Sequence, residues 1–292
     1  QSDGSDSSGP PPPPPNNVPP PSDAPSDAPV DTAGNQSVDA VEIEVSTPRD
    51  NMSAIAAAAL DKVRSGRGEG QKSKNSSNKN RQRVQVGAAI VDLTQGELGT
   101  RGTAETRAQE AADAARILGV HARENLGMRD GFFQNDEAHQ RLIIQAIRKY
   151  QPEVVLANVL HDRHPDHGRA GQLVRDAAFL SGLTKIQTTD QSGNAQARWR
   201  PSYVLHYIQD NYHEPDLVVD ISDVFEQRME SIQAYKTQFL SEGNDGPQTY
   251  ISSPDFYDSI TARSRLMGKR IGVKYAEGFQ VEKKIGIPNL NA

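Results

Sequence analysis

The chain has 292 residues, 35% apolar and 24% charged, with 19 Pro, 23 Gly, no Cys and a formal net charge of −6. The absence of Cys excludes a disulfide scaffold, a thiolate zinc site and a cysteine nucleophile, so any metal would be held by His and carboxylates. No run reaches the eighteen consecutive apolar residues of a membrane span, and no charged-then-apolar leader opens the sequence, which predicts a soluble, cytoplasmic protein without a membrane partner.

Three compositional zones divide the chain. Residues 1–38 hold eleven of the prolines, five Asp and no Lys or Arg, including the run Pro10 to Pro15. Such a segment cannot bury a core and is expected to be a disordered, polyproline-II-rich tail. The chain opens on Gln rather than Met, as expected of a processed or truncated product. Residues 39–83 are atypical. Val41, Ile43 and Val45 alternate with Glu42 and Glu44, a period-two pattern that predicts a half-exposed strand. Ile55, Ala56 to Ala59 and Leu60 predict a helix over 51–63 with Asp50 or Asn51 as its cap. From Lys62 to Arg83 eight basic residues stand against one Glu, without an aromatic, which reads as a solvated linker. Nucleic acid is not expected as a partner, because stacking groups are missing and residues 84–292 carry 23 basic and 27 acidic side chains.

From Val84 strands and helices alternate. Val84 to Leu93 is a nearly continuous apolar run, as in a strand buried on both faces. A helix follows with Thr103 or Thr106 as cap, an Ala104 to Leu118 apolar stripe and Gly119 as its end. Further helices are predicted over 136–150, 168–181, 224–239 and 256–267, and strands over 154–159, 203–207 and 217–221. This rhythm predicts an α/β fold, a Rossmann-like doubly wound and mainly parallel sheet over 84–292, with ligands at the carboxyl ends of its strands.

Chemistry concentrates at two strand ends. After Val154 to Val159 comes His161-Asp-Arg-His164-Pro-Asp-His167-Gly-Arg169, three of the chain's seven His within seven residues. Imidazole nitrogens backed by Asp162 and Asp166 are the donors a hard or borderline cation needs. A polar loop capping the next helix is the plainer alternative, and the clustering favours metal or catalytic service. The loop Asp92 to Arg107 carries glycines with Arg101 and Arg107, which read equally as a crossover loop or as an anion clamp.

These segments, with Arg123-Glu-Asn-Leu-Gly-Met-Arg-Asp-Gly-Phe-Phe133, Tyr207-Ile-Gln-Asp210, Val219-Asp-Ile-Ser222 and Tyr275-Ala-Glu-Gly-Phe279, resemble the LmbE-like, or PIG-L, zinc-dependent N-deacetylases of the bacillithiol-biosynthesis type, over about residues 85–288. The resemblance implies a Rossmann-like domain that removes acetate from N-acetylglucosaminyl malate, a small amino-sugar substrate, using Zn2+ and water. It assigns zinc binding to His167, oxyanion stabilisation or protonation of the departing amine to His164, and substrate contact to Arg107. Asp166 is expected to complete the catalytic group by supporting the histidines, and Arg101 to bind substrate beside Arg107. A homo-oligomer is left open.

One departure from that pattern matters. Members of the family open with a strand ending in Ala-His-Pro-Asp-Asp-x-Glu, which supplies two zinc ligands and the general base. Here no His precedes His121. The nearest stretch, Val41 to Asn51, places Thr47 at the His and Arg49 at the base, and neither side chain does that work. Its alternating glutamates also suit an edge strand better than a central one. The expectation is a deacetylase by descent with impaired activity, and the alternative is a noncatalytic sugar-malate binding or assembly homologue.

Overall fold

The computed structural model describes residues 41–46, 87–239 and 246–286. The tail expected over 1–38, the helix expected over 51–63 and the basic linker lie outside the described residues.

Among the described residues, seven strands form one sheet in the order β3-β2-β1-β4-β5-β7-β6. They are β1 (Val41–Ser46), β2 (Gly87–Thr94), β3 (Ala122–Met128), β4 (Val154–Asn158), β5 (Tyr203–Tyr207), β6 (Leu217–Asp220) and β7 (Ala276–Val281). The first five run parallel, while β7 lies antiparallel between β5 and β6. The expected doubly wound α/β class is therefore observed. The edge placement expected for Val41–Ser46 is corrected: β1 is central, pairing Val45 with Val91 of β2 on one side and with Ala157 of β4 on the other. A strand's place in a sheet follows from backbone pairing on both of its sides, and side-chain alternation reports only what its two faces meet. The folded unit accordingly takes in chain upstream of the expected start at Val84.

Five helices flank the sheet among the described residues: α1 (Ala104–Leu118), α2 (Glu137–Tyr150), α3 (Pro165–Leu180), α4 (Phe225–Gln233) and α5 (Pro254–Ile271). Along β4 the side chains alternate. Leu156 joins one apolar cluster with Ala111 and Ala114 of α1, Phe225 and Ile232 of α4 and Ile260 of α5. Val155 and Ala157 join the other, with Ile143 and Ile147 of α2 and Leu173, Val174 and Ala177 of α3. Two cores on opposite faces are what a sheet with period-two side chains and helices on both sides requires. None of the described helices is long and apolar enough to cross a membrane.

Most boundaries follow local chemistry. Thr103 and Thr106 form a reciprocal capping box at the start of α1, and Gly119 ends it at φ 69°. Asp136 caps α2 through the His139 amide, 3.0 Å away. Helix α3 starts three residues earlier than expected, with His164 as N-cap and Pro165 in its first turn, because the N–H that proline lacks would be unpaired there anyway. Helix α4 is shorter than the apolar periodicity predicts, and α5 is longer. Strands β3 and β7 escape that periodicity: β3 carries Arg123, Glu124 and Asn125, and β7 opens Ala276-Glu-Gly278, sequences with weak strand propensity.

The feature that positions the site is the seat of α3 on the end of β4. A Cβ at Gly168 would lie 2.7 Å from the Leu160 carbonyl oxygen, and one at Gly171 would lie 2.5 Å from that of Asn158 and 2.9 Å from that of Val159. All three contacts are with backbone, which cannot swing aside. Gly171→Ala is therefore expected to lift the helix and cost about 1–3 kcal/mol. A shift of the denaturant midpoint at constant m would show it, and an unchanged midpoint would contradict this reading of the interface.

Candidate active site

The strand order turns back between β1 and β4: β2 and β3 lie to one side, β4 and β5 to the other. In sheets of this type the crevice at that switch point, at the carboxyl ends of the strands, is where ligands sit. The segment His161 to His167 emerges there from β4.

His164 caps α3 by accepting the Asp166 amide at Nδ1, 3.2 Å away. An accepting Nδ1 leaves the neutral imidazole its proton on Nε2. One turn further on, His167 makes the opposite choice. Its Nδ1 lies 2.5 Å from Asp162 Oδ2, and the Asp162 side chain is fully buried. The other oxygen of Asp162 accepts the Asn211 amide at 2.7 Å. Burial pushes the Asp162 carboxyl upward, but the hydrogen bonds from His167 and Asn211 outweigh it and hold the group below the usual carboxylate range. An ionised Asp162 keeps the His167 proton on Nδ1 and places the ring's lone pair on Nε2, the arrangement found behind metal-binding histidines. The two rings lie 5.1 Å apart.

Both rings line a cavity together with Thr100 and Arg101 from the loop after β2, Gln209 and Asp210 from the loop after β5, Gln238 and Phe239 beyond α4, and Thr249, Tyr250, Ile251 and Phe256 around the start of α5. Arg163 closes one side. It is ion-paired with Asp210 and lies 4.1 Å over the Tyr250 ring, whose hydroxyl donates to Asp210 at 3.0 Å. Arg101 is buried, and its Nε has no hydrogen-bond partner among the described residues.

The structure brings His164, His167 and Arg101 to one cavity, whereas Arg107, expected to converge with the two histidines, and Asp166 do not line it. Arg107, only 2% exposed, lines a different cleft, between α1 and β3 beside Asp92 and Arg123. Its Nη2 donates to the Arg101 carbonyl at 3.4 Å, and Gly99 passes so close that a Cβ there would lie 2.5 Å from the same nitrogen. Arg107 therefore holds up the loop that presents Arg101, because one turn into α1 its side chain points under that loop. Asp166 is also redirected. Its carboxylate accepts the Gly131 amide at 2.8 Å and Arg169 Nη1 at 2.6 Å, which ties α3 to the loop after β3. The carboxylate that supports the histidines is Asp162, which precedes the helix and can fold back under His167, whereas Asp166 lies within the first helical turn. His161 is exposed and does not line the cavity, and its carbonyl lies 2.7 Å from His213 Nε2.

Gln209 and Asp210 lie in the Tyr207–Asp210 stretch that carries the family resemblance but receive no role from the sequence, and Gln238 and Tyr250 are not marked there at all. A signal existed for the first two, which follow β5 directly at the sheet's carboxyl edge. The other two come from segments that only the tertiary fold places here.

For zinc, the described residues fall short. No group of three or more His, Asp or Glu among them is gathered to hold a metal ion, and His167 offers one oriented nitrogen. Strand β1 ends at Ser46, opposite Asp92, where the resemblance leads one to expect two further zinc ligands, and the sequence that follows, Thr47-Pro-Arg-Asp-Asn51, contains no His.

The family model of the PIG-L type, GlcNAc-PI de-N-acetylase, matches residues 74–178, a stretch that runs from before β2 into α3 and includes His161 to His167. The diacetylchitobiose deacetylase of Thermococcus kodakarensis is 27% identical over 190 residues, 64% of this chain and 66% of its own length. The chain thus spans just under two thirds of that relative. The conserved protein TT1542 from Thermus thermophilus superposes with a TM-score of 0.67 at 28% identity, covering 86% of this chain and 98% of that one. The N,N'-diacetylchitobiose deacetylase of Pyrococcus horikoshii shares the fold at 24% identity and a TM-score of 0.61, covering 82% and 83% of the two chains. The family model and the Thermococcus enzyme support the PIG-L, or LmbE-like, deacetylase family, and relate the chain to deacetylases of the N-acetylglucosamine type.

One buried group beneath the site is titratable. His206, 1% exposed, bonds through Nδ1 to the Asn158 carbonyl at 2.7 Å, and burial pushes its pKa below the ordinary value of 6.5. The unfolded chain therefore takes up this proton at a higher pH than the folded one. Stability is complete above the ordinary value and is lost as pH falls through it and on through the depressed one. Melting temperature measured from pH 7.5 to 5 is expected to fall less in His206→Asn than in the natural chain, and parallel curves would contradict the assignment.

Proposed function

We propose that this cavity recognises a small N-acetylated amino sugar carrying an acidic substituent, in the manner of N-acetylglucosaminyl malate, and that the chain hydrolyses its acetamide weakly. The observation that carries the reading is the pair of histidines held in opposite tautomers at the switch point. Nε2–H of His164 can donate to an acetamide oxygen or supply a proton to the departing amine, and Nε2 of His167 can accept. Arg101, buried beside them, suits a carboxylate, since a guanidinium offers two parallel donors. Phe239 and Phe256 provide apolar surface for the sugar ring.

In this family zinc would supply a polarised carbonyl and an activated water. The described donors do not make up such a site, and Arg49 stands in the sequence where the general base is expected. Loss of a positioned base alone costs roughly 10²- to 10⁴-fold in rate. The same deficit favours the noncatalytic alternative, in which the cavity binds the sugar conjugate without turning it over.

Elemental analysis of the purified chain is expected to find zinc well below one per chain, and deacetylation of N-acetylglucosaminyl malate to proceed far more slowly than in a member with the complete motif. One zinc per chain together with ordinary turnover abolished by His167→Ala would overturn the impairment and show that residues before Val84 complete the site.

A further inference from the structure

We infer that Gln209 is a specificity-determining residue of this cavity: an amide donor, turned toward the ligand by Asn158, that binds the ligand's carboxylate. The inference deepens the amino-sugar reading and rests on it.

Gln209 is 3% exposed and lines the cavity. Its Oε1 is occupied, because Asn158 Nδ2 donates to it at 2.7 Å. An amide that spends its oxygen on one neighbour presents its NH2 group on the other side. Asn158 is fixed in turn. It ends β4, its backbone carbonyl receives His206 at 2.7 Å, and Gly171 of α3 packs directly on that same carbonyl. The direction of Gln209 is therefore set by the Asn158 side chain, which projects from a backbone held by the sheet and by α3.

The remaining polar lining gives that donor its meaning. Arg101 contributes a buried guanidinium, and His164 contributes Nε2–H. Asp210, the carboxylate of the lining, is taken up by Arg163 and Tyr250. Arg101 and Gln209 thus leave two donors in the lining besides the histidines, and the ligand group that satisfies a guanidinium and an amide together is a carboxylate. A neutral sugar hydroxyl can accept from two donors but carries no charge and only one oxygen, so it gains less from a guanidinium and an amide than a carboxylate does. Gln209 accordingly discriminates acidic conjugates from the neutral sugar, and Asn158 is its positioning residue.

The test is calorimetric binding of N-acetylglucosaminyl malate and of free N-acetylglucosamine to the full chain, its Gln209→Met variant and its Asn158→Asp variant, each first shown to melt cooperatively. Methionine keeps the volume without the donor. An ionised aspartate at position 158 accepts only, so binding measured at a pH above its titration would find the Gln209 NH2 drawn inward and Oε1 turned to the ligand. Both substitutions are expected to weaken the acidic conjugate by about 10- to 100-fold, the range for a hydrogen bond to a charged group, and to change the neutral sugar by only a few-fold. Equal affinity of the natural chain and Gln209→Met for the conjugate would overturn the role of Gln209 while leaving the amino-sugar reading intact. Equal losses for both sugars would overturn the carboxylate assignment. An Asn158→Asp variant with undiminished affinity for the conjugate would overturn the orienting role. A natural chain that binds neither sugar would overturn the amino-sugar reading and this inference with it.

Discussion

The site depends on how closely α3 can approach the end of β4. With glycine at 168 and 171, the backbone of the helix rests on the carbonyls of Leu160, Asn158 and Val159. That contact brings the first turn of α3 back over the strand end, so that His164 and His167 stand side by side above the switch point and Asp162, left outside the helix, reaches His167 from below. Interiors are packed densely enough that a single added methyl group displaces what surrounds it. Replacing either glycine would separate the histidines from the walls that face them.

Around this contact the polar groups form two layers. The outer one faces the cavity: Arg101, His164, His167 and Gln209. Behind it, three of these are held by groups that do not line the cavity. Asp162 holds His167, Asn158 holds Gln209, and Arg107 holds the carbonyl of Arg101. Glu110 on α1 extends this support, accepting the Thr237 amide at 2.6 Å and its hydroxyl at 2.9 Å, and thereby fixing the segment that contributes Gln238 and Phe239. Side chains restrained in this way lose little freedom on binding, which is the physical content of a preorganised site.

Much of the fold is legible in the sequence where local chemistry decides. Apolar continuity marks β2 and β4, and the Thr103–Thr106 pair and Gly119 bound α1, but the Ala stripe does not mark its buried face, which is formed by Arg107, Glu110, Ala111 and Ala114 while Ala108 and Ala112 are exposed. The placement of β1 is not legible, because alternating Val and Glu describe its side chains and not its backbone neighbours. Strands β3 and β7 are hidden for a related reason, since their pairing makes them strands while their residues are weak strand formers. In the site, the clustering of His161, His164 and His167 shows where chemistry is concentrated but not which members take part. Choosing Asp162 over Asp166 requires knowing that the helix begins at Pro165. Recognising Arg107 as a support requires knowing that it faces inward from α1, while Arg101 precedes the helix.

The central claim is that one cavity, bounded by Arg101, His164, His167 and Gln209, receives the N-acetylated sugar conjugate. A crystal structure of the full chain grown with N-acetylglucosaminyl malate tests it most directly. The account predicts the acetamide beside the two histidines and the carboxylates against Arg101 and Gln209. Ordered ligand in the cleft lined by Arg107 and Arg123, or in this cavity with its carboxylates turned away from Arg101, would contradict it.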